Sequence, residues 1–434
     1  MSGPIAMTAL GFAGLFVLMI LRIPIGVSMG IAGFLGFGLL SGFEPAVTLF
    51  GTESAQVLSN PNLAVVPLFI LMGSLATISG LSDDIYRLIY ALVGHWPGGL
   101  ACATVGGCAG FGAVCGSSPA TAATMGQISL PQMLKRGYSP ALATGTIAAG
   151  GTLGMLVPPS IVMVIYAFLA REFVIDIFLA ALIPALLAVV LQVLAVLVFV
   201  RLWPDSAPAG ERLSWRERLQ IAGRSWGVLA MIGAVMGGLY SGIFTVNEAA
   251  AVGVLVAALF AVGRRALNRE NLMRMVGETA SNTAMIYVII IGASIFTYFI
   301  TATRLPGALT AMFTDLDVPP LVVIAGILAM YLVLGCVFET ISSMVITLPF
   351  ILPVVTGLGY DAVWWGIVLI MAIELGMITP PVGINVFVLH GIDRSIPIRT
   401  IFAGIVPFAI ADLIRIAIVV IFPALALWLP SVLR

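Results

Sequence analysis

GFGAVCGSSPATAATMGQISLPQMLKRGYSPALATGTIAAGGTLGMLVPPS, residues 110–160, is apolar enough to lie in a membrane and too broken to be an ordinary membrane helix. GSSP interrupts it at Gly116–Pro119; Gly150, Gly151, Gly154 and Pro158-Pro159 interrupt it again. In hydrocarbon an unpaired backbone N–H or C=O costs several kcal/mol, so such breaks survive only where they line a cavity or bind something. Breaks of this kind point to an ion or substrate site in a transporter.

The pattern occurs twice. A shift of 222 positions takes Leu130-Pro131 to Leu352-Pro353, Gly137-Tyr138 to Gly359-Tyr360, Gly154 to Gly376 and Pro158-Pro159 to Pro380-Pro381. It takes Ser117-Ser118-Pro119 to Glu339-Thr340-Ile341, with Ser342-Ser343 following. One register shared through two kinds of interruption indicates an internal duplication.

Composition sets the class. Of 434 residues, 61% are hydrophobic and 9% charged, against roughly 25% charged in a soluble domain. The mean hydropathy is +1.17. The chain therefore reads as a polytopic membrane protein with no large soluble domain. The first apolar run lacks a cationic start and a small-residue cleavage site, so it reads as a retained helix. Cys102, Cys108, Cys115 and Cys336 lie in apolar segments without metal spacing and read as small buried side chains.

Several enzyme classes are excluded. Lys135 is the only lysine and Arg136 follows it, so no Walker A motif exists. The two histidines, His95 and His390, form no HExxH. Gly26-Val27-Ser28-Met29-Gly30 matches GxSxG but lies in a continuous apolar helix with no strand before it. It reads as chance plus close helix packing by small residues, and glycines 106, 107, 110 and 112 read the same way.

In order, spans are expected at 5–21 and 23–40, an interfacial amphipathic helix at 44–60, and a span at 63–89. The first broken unit follows: a re-entrant hairpin at 98–133 and a broken span at 141–170. Spans at 174–200, 226–240 and 246–262 flank an arginine-rich loop, 201–224. Residues 268–280 mirror the interfacial helix, and 285–300 span. The second hairpin, 321–353, and second broken span, 362–390, precede a last span at 401–427. The corresponding domains are scaffold and arm (1–97, 174–300), transport units (98–173, 301–400) and a C-terminal helix (401–434). The two arginine clusters hold nine of nineteen Lys/Arg and mark the cytoplasm. Lys135-Arg136 then fall inside, Asp315, Asp317 and both termini outside, and the two halves become inverted repeats.

The segments GSSPATAATMG, LPQMLKRGY, AAGGTLGMLVPPSI, GIFTxxEAAAVG and GMITPPVGIN resemble the large membrane subunit of tripartite ATP-independent periplasmic (TRAP) transporters. The resemblance covers essentially the whole chain. One departure stands at Val246-Asn247, where that family's segment carries Pro-Thr, next to Glu248. The resemblance implies an all-α inner-membrane protein with an elevator mechanism, importing organic acids on Na+ as coupling ion with no other cofactor. It implies two partners, a small four-helix membrane subunit and a periplasmic substrate-binding protein, and no nucleic acid.

Na+ is a hard cation and takes oxygen ligands, including backbone carbonyls. Unwound breaks expose carbonyls, half-helix C-termini carry partial negative charge, and half-helix N-termini at Ser118 and Thr340 suit a carboxylate. The repeat and the resemblance together imply a first Na+ site from Cys115, Ser118, Gly154, Val157 and Pro159. They imply a second from Gly335, Glu339, Thr340, Gly376, Thr379 and Val382, with Ser117, Ser118, Ser342 and Asn385 as substrate contacts.

Plainer roles compete. Ser117 and Ser118 either cap the returning helix or supply ligands, and these are compatible. Glu339 and Glu374 are functional carboxylates, helix caps or partners of an arginine. Asp412 and Arg415, three apart on one helix, most simply neutralise each other. Among functions, a self-sufficient Na+/carboxylate symporter of similar architecture stands second. A channel would need a continuous polar pore and an intramembrane enzyme a nucleophile–base pair, and neither pattern is present.

Overall fold

A computed structural model describes residues 2–210, 213–315 and 318–433. Among them the chain is all helical, with no strand. The first half contains α1 (Ser2–Ile20), α2 (Ile25–Ser41), α3 (Phe43–Ser59), α4 (Val65–Ile78), α5 (Leu81–Val93), α6 (Gly99–Cys115), α7 (Ser118–Lys135), α8 (Pro140–Leu156), α9 (Ile161–Ala170) and α10 (Val174–Leu202). The second contains α11 (Trp215–Arg224), α12 (Trp226–Tyr240), α13 (Val246–Gly263), α14 (Arg269–Ala302), α15 (Leu305–Asp315), α16 (Pro320–Val337), α17 (Thr340–Gly357), α18 (Ala362–Gly376), α19 (Ile384–Ile392), α20 (Ile398–Ile421) and α21 (Ala424–Leu433). Seven described helices are long and apolar enough to cross a membrane, and the bent pair α8–α9 adds a broken span.

The duplication is visible in the helix ends. The returning helices Ser118–Lys135 and Thr340–Gly357 differ by 222 at both ends. The entering helices end at Cys115 and Val337, also 222 apart. The crossing helices begin at Pro140 and Ala362, again 222 apart. Each break carries a cis peptide, at Pro158-Pro159 and Pro380-Pro381.

Small residues set the scaffold. A Cβ on Gly26 would lie 2.6 Å from the Ile289 backbone nitrogen, and one on Gly33 2.7 Å from Phe296 Cα, so α2 lies directly on the α14 backbone. Ser28 Oγ hydrogen-bonds the Ile23 carbonyl at 3.3 Å. The GxSxG match is therefore a packing stripe. Gly106 and Gly110 likewise admit Ile89 and Ile85 of α5.

The structure corrects the expected spans in four places. The span at 63–89 is two helices, because Gly80 adopts a left-handed φ of +74° and ends the run. Arg264, the C-cap residue of α13, then holds the corner, bonding the Ser79 carbonyl at 2.8 Å and pairing with Asp84. Arg269–Ala302 form one helix of 34 residues rather than an interfacial helix at 268–280 and a span at 285–300. The first half breaks at Asn60-Pro61, whereas no proline interrupts α14. At 1.5 Å per residue α14 is about 51 Å long and outruns a hydrocarbon core of about 30 Å. The loop at 201–224 contains α11, opened by a reciprocal Ser214–Glu217 capping box with no buried residue. Those bonds hold the exposed Glu217 carboxyl below its ordinary range. The last span is divided at Phe422-Pro423 into α20 and α21. Arg212 and Asp317 lie outside the described residues.

The Val246-Asn247 departure leaves the local geometry regular. Thr245 caps α13 with a complete capping box to Glu248, and Asn247 Nδ2 reaches the Pro61 carbonyl at 2.8 Å.

Candidate functional site: two hairpin tips and a shared cavity

Hairpin 1 turns in two residues. Gly116 is left-handed (φ +65°), Ser117 is extended, and Ser118-Pro119 starts α7 with proline in its first turn. Hairpin 2 turns at Phe338-Glu339, and the Glu339 side chain accepts from the Ser342 N–H and Oγ, each at 3.4 Å. Of its possible roles Glu339 thus takes the helix cap, while Ser117 makes no side-chain capping bond.

Each tip is pressed against its own break. A Cβ on Gly112 would stand 2.7 Å from Gly154 Cα; one on Gly154 would stand 2.8 Å from the Ser117 carbonyl oxygen and collide with Thr121 Oγ1. Gly116 faces the Pro159 carbonyl. The second half repeats this contact. A Cβ on Gly376 would stand 2.6 Å from Gly335 C and 2.7 Å from the Leu332 carbonyl oxygen. Cys336 Sγ and Thr379 Oγ1 are 3.0 Å apart, and Thr340 Oγ1 lies 2.9 Å from Met377 Sδ. Gly335, Thr340, Gly376 and Thr379 are therefore together, as are Gly154, Pro159 and the tip that carries Cys115, Ser117 and Ser118. Val157 and Val382 stand in the two breaks; the Val157 N–H still bonds Leu153 in α8.

Two hydroxyls escaped the sequence reading. Thr121 and Ser343 are 222 apart, each is buried, and neither Thr121 Oγ1 nor Ser343 Oγ has a hydrogen-bond partner among the described residues. Ser160 Oγ in the first break is in the same condition. The repeat register was the signal that could have found the pair. Thr121 Oγ1 and the Ser117 carbonyl both crowd the Cβ position of Gly154, so hard oxygen donors meet at the first break.

Asn385 joins the halves. Its Nδ2 donates to Ser118 Oγ at 2.8 Å and to the Ala148 carbonyl at 3.0 Å, and its residue is fully buried. It holds the hairpin 1 tip and α8, so it is a structural bond across repeats rather than a residue lining the cavity. Asn385→Leu removes both bonds and sets an apolar side chain against the buried Ser118 hydroxyl, at about 1–3 kcal/mol. We expect a lower unfolding midpoint than for Asn385→Ser; equal midpoints for Asn385→Leu and wild type would contradict this role.

Glu374 and Asp412 share one guanidinium. Arg415 Nη2 lies 3.3 Å from Glu374 Oε2 and 3.3 Å from Asp412 Oδ1, and the three side chains are buried between α18 and α20. Asp412 and Arg415 do pair, and Glu374 belongs to the same cluster. Gln192 of α10 donates to the Ala149 carbonyl of α8 at 3.3 Å.

Both tips face one cavity of about 510 Å³. Cys115, Gly116 and Ser117 line it from hairpin 1, Glu339, Thr340 and Ile341 from hairpin 2, and Met155 and Met377 from the edges of the breaks. Its walls are the 119–127 face of α7, the 70–78 face of α4, and Arg274, Glu278 and Asn282 of α14. Ser342 is not among the lining residues. Sequence reasoning missed the α14 wall because it assigned that segment to the membrane surface.

The chain matches, over residues 12–425, the family described as tripartite ATP-independent periplasmic transporter, DctM component. It is 34% identical over 406 residues, 93% of this chain and 94% of the other, to the C4-dicarboxylate TRAP transporter large permease protein DctM of Pseudomonas aeruginosa. It is 30% identical to the sialic acid TRAP transporter large permease protein SiaM of Vibrio cholerae, over 86% of this chain and 87% of that one. Among solved structures, the Alcanivorax borkumensis YdaH transporter superposes with a TM-score of 0.60 at 16% identity, covering 90% of this chain and 89% of that one. That likeness speaks to the fold.

Proposed function

Because the chain belongs to the DctM component family of tripartite ATP-independent periplasmic transporters, we propose that it is the membrane-spanning transport subunit of a Na+-driven importer of small organic acids. The observation that carries this reading is the pairing of two hairpin tips and two helix breaks, in one register, around a single cavity. Each tip–break contact contributes one Na+ site. The first uses carbonyls near Cys115, Ser118, Gly154, Val157 and Pro159 with the Thr121 hydroxyl. The second uses Gly335, Glu339 or Thr340, Gly376, Thr379 and Val382 with the Ser343 hydroxyl. The cargo carboxylate meets the N-terminal half-helix ends at Ser118 and Thr340 from the cavity.

The hairpins and broken helices move as one elevator body against a scaffold containing α2 and α14, with α20 riding on α8. A soluble binding protein delivers cargo and a small four-helix subunit braces the scaffold. The arginine-rich side faces the cytoplasm of a bacterial inner membrane and both termini face the periplasm. The cavity then runs from the tips toward the inner, Arg269 end of α14. Relatives are named for C4-dicarboxylate, sialic acid and ectoine transport, and this chain takes a cargo of comparable size.

Two Na+ carried with a monovalent acid move one net charge, worth about 2.3 kcal/mol per 100 mV. A tenfold Na+ ratio adds about 2.8 kcal/mol for two ions. Together these sustain a cargo gradient of several thousandfold. The test is reconstitution of the chain alone and with both partners. Uptake is expected only with the partners, rising sigmoidally with Na+ and answering an imposed K+/valinomycin potential. Thr121→Val and Ser343→Ala should each raise the Na+ concentration for half-maximal uptake. Na+-driven accumulation by the lone chain would support a self-sufficient symporter instead, and a hyperbolic Na+ dependence unchanged in both variants would remove the two-site assignment.

A further inference from the structure

The charges around the cavity are uneven. Arg274 is the one guanidinium among its described lining residues, against the carboxylates of Glu278, a turn further along α14, and Glu339 at the hairpin 2 tip. The remaining polar side chains are neutral and include Ser74, Thr77, Thr124, Gln127 and Asn282. Arg274 makes a single long bond, Nη2 to Asn271 Oδ1 at 3.4 Å, and among the described residues no ion pair joins it to Glu278. A basic residue four positions before an acidic one is the weaker order for pairing along a helix. The guanidinium therefore remains available to cargo.

We propose that Arg274 and Glu278 select the charge type of the cargo, admitting a monocarboxylate whose remainder carries hydrogen-bond donors and turning away a dicarboxylate. This rests on the transport reading above. A guanidinium takes one carboxylate through two parallel N–H bonds. The carboxylate oxygens of Glu278 and Glu339 accept hydrogen bonds, so they suit hydroxyl or ammonium groups. A second cargo carboxylate in the same cavity faces like charge, which disfavours it. The neutral hydroxyls and amides complete a lining suited to a polyhydroxylated chain.

The test uses the full chain in nanodiscs at saturating Na+, with unfolding midpoints followed as gluconate or succinate is added, since a ligand of the folded state raises the midpoint. Gluconate should bind more than ~10-fold tighter than succinate, given the like-charge penalty. R274Q should lose the gluconate response and R274K keep part of it. E278Q should bind succinate better and shrink the preference by about tenfold. Equal binding of both acids by wild type, no response to gluconate, or a preference unchanged in R274Q and E278Q would each overturn the proposal. Failure of Na+-driven uptake, with both variants still shifting the preference, would remove the transport reading and leave this assignment standing.

Discussion

Gly154→Leu and Gly376→Leu are expected to reduce uptake to background while the protein still inserts and accumulates in the membrane. Neither position has room for even a Cβ. At Gly154 the first added carbon meets the Thr121 hydroxyl, assigned to the first ion site, and the Ser117 carbonyl at the hairpin tip. At Gly376 it meets the Gly335 backbone and the Leu332 carbonyl. Forcing a side chain into a packed interior costs about 1–3 kcal/mol, which a large membrane protein can survive. The site cannot tolerate it as well, because a displacement of about 1 Å costs about 100-fold in a positioned assembly. Gly326→Leu is the control. It lies on α16 in open space, with nothing within 4 Å of its Cβ position, and should leave uptake near wild type. Uptake driven by a Na+ gradient in proteoliposomes containing the partners makes the comparison. Full activity in both leucine variants would show that hairpin and break need not touch.

Arg415→Met is expected to be among the most destabilising single changes in the chain. It leaves Glu374 and Asp412 buried beside each other without their shared guanidinium. Removing one partner of a buried charge cluster costs about 3–5 kcal/mol, much of it the uncompensated charge that remains. Replacing all three, as Glu374→Gln, Asp412→Asn and Arg415→Met together, should recover most of that loss, since uncharged side chains of similar volume need no counter-charge. Thermal unfolding in nanodiscs reads both effects. An Arg415→Met midpoint equal to wild type, or a triple variant no better than the single, would mean the cluster is not held by its charges.

What the sequence made legible was local. Pro158-Pro159, Pro380-Pro381 and the glycine-rich turns interrupt helices through the backbone of the residues themselves, so both hairpins and both breaks were found, with ends close to those observed. The scaffold was less legible. Gly80 looks like any of the many glycines here until its left-handed conformation is seen. The continuity of α14 depends on the absence of a proline at a place where the first half has one. The cavity wall at Arg274 and Glu278 was misassigned because arginine beside an apolar run reads equally as interface, and Asn282 fell between the two expected elements. Glu374 and Arg415 are 41 positions apart and meet only through the packing of α18 on α20. Thr121 and Ser343 are ordinary helix residues in sequence, and burial without a partner is what distinguishes them.

The bond from Asn385 to Ser118 also bears on the history of the duplication. A chain made of two interchangeable halves would carry the same cross-connection in both directions. This one does not. The residues that follow the first break, Val162 and Met163, have no amide to offer, and Thr340, the counterpart of Ser118, bonds a methionine within its own half. The two copies have diverged into a giver and a receiver. Two copies of the first half alone would lack this tie, because Met163, at the position of Asn385, has no side-chain donor. The tie runs one way, from the second copy to the first.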